Sequence, residues 1–448
     1  MTEKLPVSLS VAARWVIPVD GSNQVLENHS IVVDKGRIIA ILPTLEADAV
    51  FSAEDAVVLP NHILMPGLIN AHAHSAMTLF RGMADDLALM DWLNNHIWPA
   101  EGRWVSDQFV ADGTRIAIAE MLKSGTTCFN DMYFFPTATA RVALEAKIRV
   151  SLSFPILDFP TAWANNAGAY INRGLQLHDA HKNHDLISAQ FGPHAPYTVS
   201  DEPLQKIQMY SVEIDRPIHM HLHETAFEVA DAVEKTGKRP LQRMHELGLL
   251  SPNFQAVHMT QLTDDDIELL KLTGSHVIHC PESNLKLASG FCPVHKLMQA
   301  GVNVALGTDG AASNNDLDMF AEMRTAALLA KAVANDPTAL SAEKALEMAT
   351  INGAKALGLD KITGSLALGK YADMIAVDMS GIESLPLYNP VSQLVYSTRS
   401  DKVTDVWVAG KQLLKNRTLL TLNEAAICDN AIEWSAKIKE NNATAGKP

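Results

Sequence analysis

The segment PGLINAHAHSAM carries His72 and His74 two residues apart, and on a β-strand side chains at that spacing share one face. Two imidazoles so placed can grip a single metal ion. A second cluster, IHMHLHET, puts His219, His221 and His223 on one side by the same alternation, with Glu224 directly after them. The innermost of the three can belong to a core and the outermost can touch a ligand. His221 is the preferred metal ligand, because Glu224 three residues on can bend back across the mouth of a site and act as an acid. His258 ends a later apolar run, and LGTDGAASNNDLDMF places Asp309 immediately after another. A buried histidine or a helix-capping aspartate explains either one alone. Four strand ends that deliver His, Glu and Asp together point instead to one shared catalytic metal.

His72, His74, His221 and Asp309 supply nitrogen and oxygen donors suited to one Zn²⁺ with a water, and donor type alone also admits Fe²⁺. Such an ion brings the pKa of the water toward neutrality. Asp309 can then receive the water proton, His258 can orient the attacking oxygen, and Glu224 can protonate a ring nitrogen of the substrate. Two carboxylates on opposite sides of an attacked carbon suit hydrolytic deamination of a ring. Trp92 and Trp98 can line the cleft or simply pack, His279 can orient substrate or be structural, and Asn284 and Lys286 are expected only to anchor their loop.

The elements that must hold these groups read as short apolar runs alternating with helical patterns. Strands are expected at 63–71, 126–133, 148–157, 187–194, 217–222, 254–259, 276–280 and 302–308, and helices at 109–123, 138–146, 263–271, 294–300 and 318–334. Eight βα units over this length favour an α/β fold, a closed (β/α)8 TIM barrel with its reactive groups at the strands' C-terminal ends. A doubly wound sheet is the second choice. No G-x-G-x-x-G turn or G-x-x-x-x-G-K-[ST] loop supports a nucleotide-cofactor site. The first 60 residues read as strands broken at Asp20-Gly21 and Lys35-Gly36, and similar patterns return at 371–378 and 403–410. A small β-sandwich-like domain built by both chain ends follows, with boundaries 1–62, 63–368, 369–420 and a C-terminal helix and tail over 421–448. Thr421 and Glu424 stand at capping-box spacing for that helix, and its last seven residues are expected to fray.

Over 448 residues, 36 Lys and Arg face 51 Asp and Glu, a formal charge of −15 that disfavours nucleic acid or an anionic membrane as partner. Four widely spaced cysteines without a C-x-x-C pair read as reduced thiols. With no apolar run of membrane-spanning length and no signal-peptide pattern at the start, a cytoplasmic chain is expected.

The motifs PGLINAHAH, LFRGMADDLALMDWL, FGPHAPYTVS, HLHET, HCPESNLKLASG and LGTDGAASNNDLDM, in this order and over nearly the whole chain, resemble the amidohydrolase superfamily. Within it they resemble the 5'-methylthioadenosine/S-adenosylhomocysteine deaminases. That resemblance implies a mononuclear zinc enzyme that converts a 6-aminopurine nucleoside to the 6-oxo nucleoside and ammonia. It carries metal ligation onto His72, His74, His221 and Asp309, and catalysis onto Glu224, His258 and Asp309. It also places Glu101, in WPAEGRW, at the ribose hydroxyls, His194 at the substrate, and Arg173, in INRGL, near the substrate's 5' end. A homo-oligomer is a further expectation from the resemblance. His223 departs from the Ala or Tyr often found there, and AQFGPHAPY lacks the lysine that binuclear members use to bridge two metals. The competing expectations are a related amidohydrolase acting on a free purine, pyrimidine or triazine, and a noncatalytic metal-binding barrel.

Overall fold

The computed structural model describes residues 4–445, with side chains as far as residue 440. Its centre is a parallel eight-stranded sheet that keeps chain order throughout: Leu68–Ala73, Thr126–Asp131, Arg149–Ile156, Ile187–Pro193, Ile218–Leu222, Phe254–His258, His276–His279 and Val304–Leu306. Helices cover the outer face of these strands and the barrel interior buries the inner one, which is why the strands read as continuous apolar stretches rather than alternating ones. The first, second and third strands are buried at every position.

The sheet closes where the eighth strand returns to the first. A parallel bridge joins Ala73 and Asp309, and the Asp309 amide donates to the His72 carbonyl at 3.0 Å. Gly307 makes this approach possible, since a Cβ there would lie 2.7 Å from both the backbone nitrogen and the Cβ of His72. Closure thus sets Asp309 beside the His72–His74 pair, 235 positions apart in sequence at Asp309 and His74.

Both chain ends build a second, mixed sheet. Its central strand, Phe51–Pro66, pairs in parallel with Leu5–Val16 and antiparallel with Met374–Asp378, so the C-terminal strands Val403–Val408, Lys411–Lys415 and Thr418–Leu419 continue a sheet begun by Leu26–Asp34 and Arg37–Pro43. Residues 63–66, expected to open the barrel, instead complete this strand, with Ile63 opposite Val377. Gly67 separates it from the first barrel strand. The two sheets are tied by a buried ion pair, Arg149 Nε to Asp373 Oδ2 at 2.9 Å, at the N-terminal side of the barrel.

The C-terminal helix, Glu424–Ala445, lies against Asp107–Lys123, where the Trp434 indole donates to Asp112 at 3.0 Å. Its cap is Asn423, which accepts from the Ala426 amide at 3.1 Å. Thr421, the expected cap, turns its hydroxyl to the Ala146 carbonyl instead, because a tertiary acceptor lies within 2.9 Å. The expected frayed end reaches past Ala445 into residues outside those described. No helix among the described residues is long and apolar enough to cross a membrane.

Candidate active site

Strand ends deliver the expected ligands to one point. His72, His74, His221 and Asp309 each offer an atom within 4.8 Å of the others. Asp309 Oδ1 lies 3.3 Å from His72 Nε2 and 3.2 Å from His74 Nε2, and the Nε2 atoms of His72 and His221 are 3.2 Å apart. The outer nitrogens explain why these particular atoms converge. His74 Nδ1 sits 2.6 Å from the Met132 carbonyl and His221 Nδ1 2.8 Å from the His194 carbonyl, so both must carry their protons there. His72 Nδ1 is 2.7 Å from His219 Nε2, whose other nitrogen is 2.6 Å from Gln255 Oε1. Gln255 in turn donates its amide to the Ala356 carbonyl, which turns its oxygen toward His219 and leaves His219 Nε2 as an acceptor. Three unprotonated Nε2 lone pairs and a carboxylate therefore face one another at close range. That arrangement repels itself unless a cation sits among them, and the donor set fits a single divalent metal ion.

Asp309 is fixed from behind by Ser283 at 2.7 Å and Ser313 at 3.1 Å, both donating to Oδ2. It stands in the left-handed region at φ 64°, as does His258 at φ 75°, strained conformations of the kind found at functional sites. His258 Nδ1 donates to Asn284 Oδ1 at 2.9 Å, leaving Nε2 directed at Glu224, 3.8 Å from Oε2. Asn284 thus does more than anchor its loop: it orients His258. Burial raises the Glu224 pKa above the ordinary carboxyl value, against the lowering effect of His258 and with a further upward push from Asp309.

Glu224 itself is held by its neighbours. Glu228 accepts the backbone N–H groups of Glu224 at 2.7 Å and His223 at 3.0 Å, and Thr225 caps the following helix by accepting from Glu228 N. The Thr-x-x-Glu spacing of 225 and 228 was a readable sign of this turn. His223 does not follow the alternation expected of it. The strand ends at Leu222, His223 adopts φ 51°, and its ring turns away to accept the Leu241 amide at 3.0 Å. The role left open for it is structural. His219 is likewise a buried support for His72 rather than a free core residue, and His279 is buried and does not line the cavity.

Above the cluster lies a cavity of about 250 Å³ whose wall includes His74, His221, Asp309, Glu224, His258, His194 and Glu101. Glu101 comes from the helix Trp98–Trp104 and accepts the Tyr133 hydroxyl at 2.8 Å. Enclosure by the surrounding atoms pushes its carboxyl up to about 7, although the Tyr133 hydrogen bond and His74 act downward. Tyr133 was not expected at the site. It follows the second barrel strand by two residues, so its place at a strand end was the available signal. Trp92 and Trp98 both line the cavity. Arg173 does not: it is exposed on the helix Ala167–His181, and its guanidinium donates to the Trp163 carbonyl. The residue expected near the substrate's 5' end therefore braces the loop whose residues 159–162 line the cavity, without lining the cavity itself.

The sequence over residues 63–413 matches the amidohydrolase family. The chain belongs to this family. It is 55% identical over 444 residues to a 5-methylthioadenosine/S-adenosylhomocysteine deaminase of Saccharophagus degradans, covering 99% of this chain and 100% of that one. It is also 42% identical over 422 residues to a 5'-deoxyadenosine deaminase of Methanosarcina acetivorans, covering 93% and 95% of the two chains. Among solved structures, an adenosine deaminase from Xanthomonas campestris with bound zinc superposes with a TM-score of 0.97 at 50% identity, covering 98% of this chain and 100% of that one. With its His/His/His/Asp cluster at the barrel mouth, the protein is a metal-dependent hydrolase of the amidohydrolase family.

Proposed function

We propose that this amidohydrolase deaminates 6-aminopurine nucleosides with a modified 5' position, methylthioadenosine and S-adenosylhomocysteine among them, to the 6-oxo nucleosides and ammonia. The observation that carries this reading is the Glu101–Tyr133 pair in the same cavity as Glu224, His258 and the metal cluster. A carboxylate can accept both hydroxyl hydrogens of a ribose diol, an interaction that a free base does not need. The relatives named above act on adenosine-type nucleosides, which agrees with that geometry.

His72, His74, His221 and Asp309 would hold one ion, with Zn²⁺ the expected metal given imidazole and carboxylate donors and Fe²⁺ the alternative. When bound, it supplies Lewis acidity that makes a water nucleophilic near neutral pH. Asp309 takes the proton of the attacking water through the carboxylate that Ser283 and Ser313 hold in place. His258, oriented by Asn284, directs the oxygen toward C6 through Nε2. Glu224, buried at the cavity wall, delivers a proton to N1, so that the C6–N1 bond loses its double-bond character as the C6–O bond forms. The proton held by Asp309 then passes to the 6-amino group, the C6–N6 bond breaks with its electron pair to release ammonia, and the remaining C6 hydroxyl proton returns to Glu224 as the 6-oxo group forms. His194 closes one side of the cavity against the ring.

A product assay over methylthioadenosine, S-adenosylhomocysteine, adenosine, guanine and cytosine tests the assignment. Turnover confined to the nucleosides is expected. Dominant turnover of guanine or cytosine would overturn it.

A further inference from the structure

The polar atoms of the cavity are concentrated around the metal cluster. His74, His221, Asp309, Glu224, His258, His194 and the Glu101–Tyr133 pair account for nearly all of them, and away from this group only Thr161 and Tyr197 add a hydroxyl. The remaining wall is aromatic and aliphatic, with the indole nitrogens of Trp92 and Trp98 as its side-chain polar atoms, and Trp92 Nε1 has no hydrogen-bond partner. Leu89, Trp92, Leu93 and Trp98 come from the helical turns after the first strand, and Leu157, Phe159 and Pro160 come from the loop after the third. Among the described residues, no Lys or Arg lines the cavity, while three carboxylates, Glu101, Glu224 and Asp309, do.

The apolar loop is also fixed in place. The Asp158 amide donates to the Thr198 carbonyl at 3.1 Å, and the Asp158 carboxylate accepts the Ser200 amide at 2.8 Å. The Tyr170 hydroxyl reaches the Phe159 carbonyl and the Thr161 hydroxyl, and Arg173 is engaged by the Trp163 carbonyl on the far side. Bringing the Arg173 guanidinium into the cavity would require breaking its bond to the Trp163 carbonyl.

Resting on the nucleoside reading above, we infer that this cavity selects a neutral, apolar 5' substituent, such as methylthio, and discriminates against the zwitterionic homocysteinyl tail of S-adenosylhomocysteine. Whatever part of a ligand lies beyond the ribose meets the aromatic and aliphatic wall, because the polar atoms are already committed near the reacting ring. A thioether methyl is well matched to Trp, Phe and Leu surfaces. An α-carboxylate there finds no cationic partner, and only the neutral Thr161 and Tyr197 hydroxyls and the Trp92 and Trp98 indoles could replace part of its hydration. Its α-ammonium, on the same carbon, lies beyond the ribose as well and meets the same wall.

The test compares kcat/KM of the metal-loaded enzyme for methylthioadenosine, 5'-deoxyadenosine, 5'-butylthioadenosine and S-adenosylhomocysteine. The first three should be used comparably, and S-adenosylhomocysteine roughly 10²-fold less well, the effect of one unpaired charged group. The butylthio compound has a long but uncharged tail, so it separates charge from length. Phe159→Arg, at a side chain 43% exposed on the rim, and independently Leu89→Arg, should each narrow the methylthioadenosine to S-adenosylhomocysteine ratio at least tenfold by supplying the missing cation. Equal use of the two substrates by the unaltered enzyme would overturn the inference while leaving nucleoside deamination intact. Poor use of the butylthio compound would overturn it in favour of a length limit. A ratio that neither folded variant changes would overturn the wall's charge as the cause. Turnover of free bases alone would instead remove the nucleoside reading on which the inference rests.

Discussion

At the scale of single residues, the site separates two carboxylates by environment. Asp309 is enclosed by the ligand histidines and two serine hydroxyls, while Glu224 is buried with its pKa raised and has His258 opposite it. This division suits one to receive a proton and the other to deliver one. Glu224→Gln keeps the side chain's size and removes the exchangeable proton. The deamination step should slow by about 10²-fold or more, measured in single turnovers at full metal occupancy, and an unchanged rate would remove Glu224 from the chemistry. Glu101 gives a pH prediction. Its carboxyl is pushed up to about 7 by burial, so the charged form that accepts ribose hydroxyls is lost as pH falls through and below that value, with a bound cation drawing the window lower. KM for a ribonucleoside should therefore rise toward acid pH more steeply than KM for the 2'-deoxy analogue, which has one hydroxyl fewer to offer. Glu101→Ala should flatten the difference, and parallel profiles in the unaltered enzyme would reject ribose recognition by this residue.

Elements transmit position through a few buried polar contacts. The turn after the fifth strand is held by Glu228 and by Thr260, whose hydroxyl donates to the Glu224 carbonyl at 2.7 Å. The terminal sheet is held to the barrel by Arg149 and Asp373, 2% and 1% exposed, with Asp373 also accepting the Ala409 amide at 2.7 Å. Asp373→Ala leaves the Arg149 guanidinium buried without its counter-ion. A loss of about 3–5 kcal/mol is expected in urea unfolding, and the double change Arg149→Met with Asp373→Leu should cost much less, since it also removes the unpaired charge. A small effect of Asp373→Ala would mean that the Asp185 carbonyl, which also accepts from Arg149, suffices to hold the guanidinium.

For the whole molecule, the metal cluster joins the first, fifth and eighth strands, so an ion bound there cross-links the barrel where its sheet closes. An ion that binds only the folded chain stabilises it by RT ln(1 + [L]/Kd), about 4 kcal/mol at a thousandfold excess over Kd. Chelation should thus lower Tm and abolish activity together, and one equivalent of Zn²⁺ per chain should restore both. A requirement for two equivalents would contradict the single cluster.

Much of this was legible before the structure. His72 and His74, His221, His258 and Asp309 all stand at the ends of apolar runs, and such runs define buried parallel strands by composition alone. The boundary near residue 63 was not, because 63–71 is apolar across two different strands and only pairing partners show where one sheet stops. Alternation likewise put His223 with its neighbours, whereas a left-handed backbone at the strand's end turned it away.

By itself, the sequence determined which groups could do chemistry and the barrel order that gathers them, since both follow from residue type and local periodicity. Tertiary structure alone decided the proton positions on the ligand imidazoles, the pairing of Tyr133 with Glu101 and the exclusion of Arg173 from the cavity. Each of these depends on a partner distant in the chain or on the face that a packed helix turns outward, and neither is encoded in the spacing of neighbouring residues.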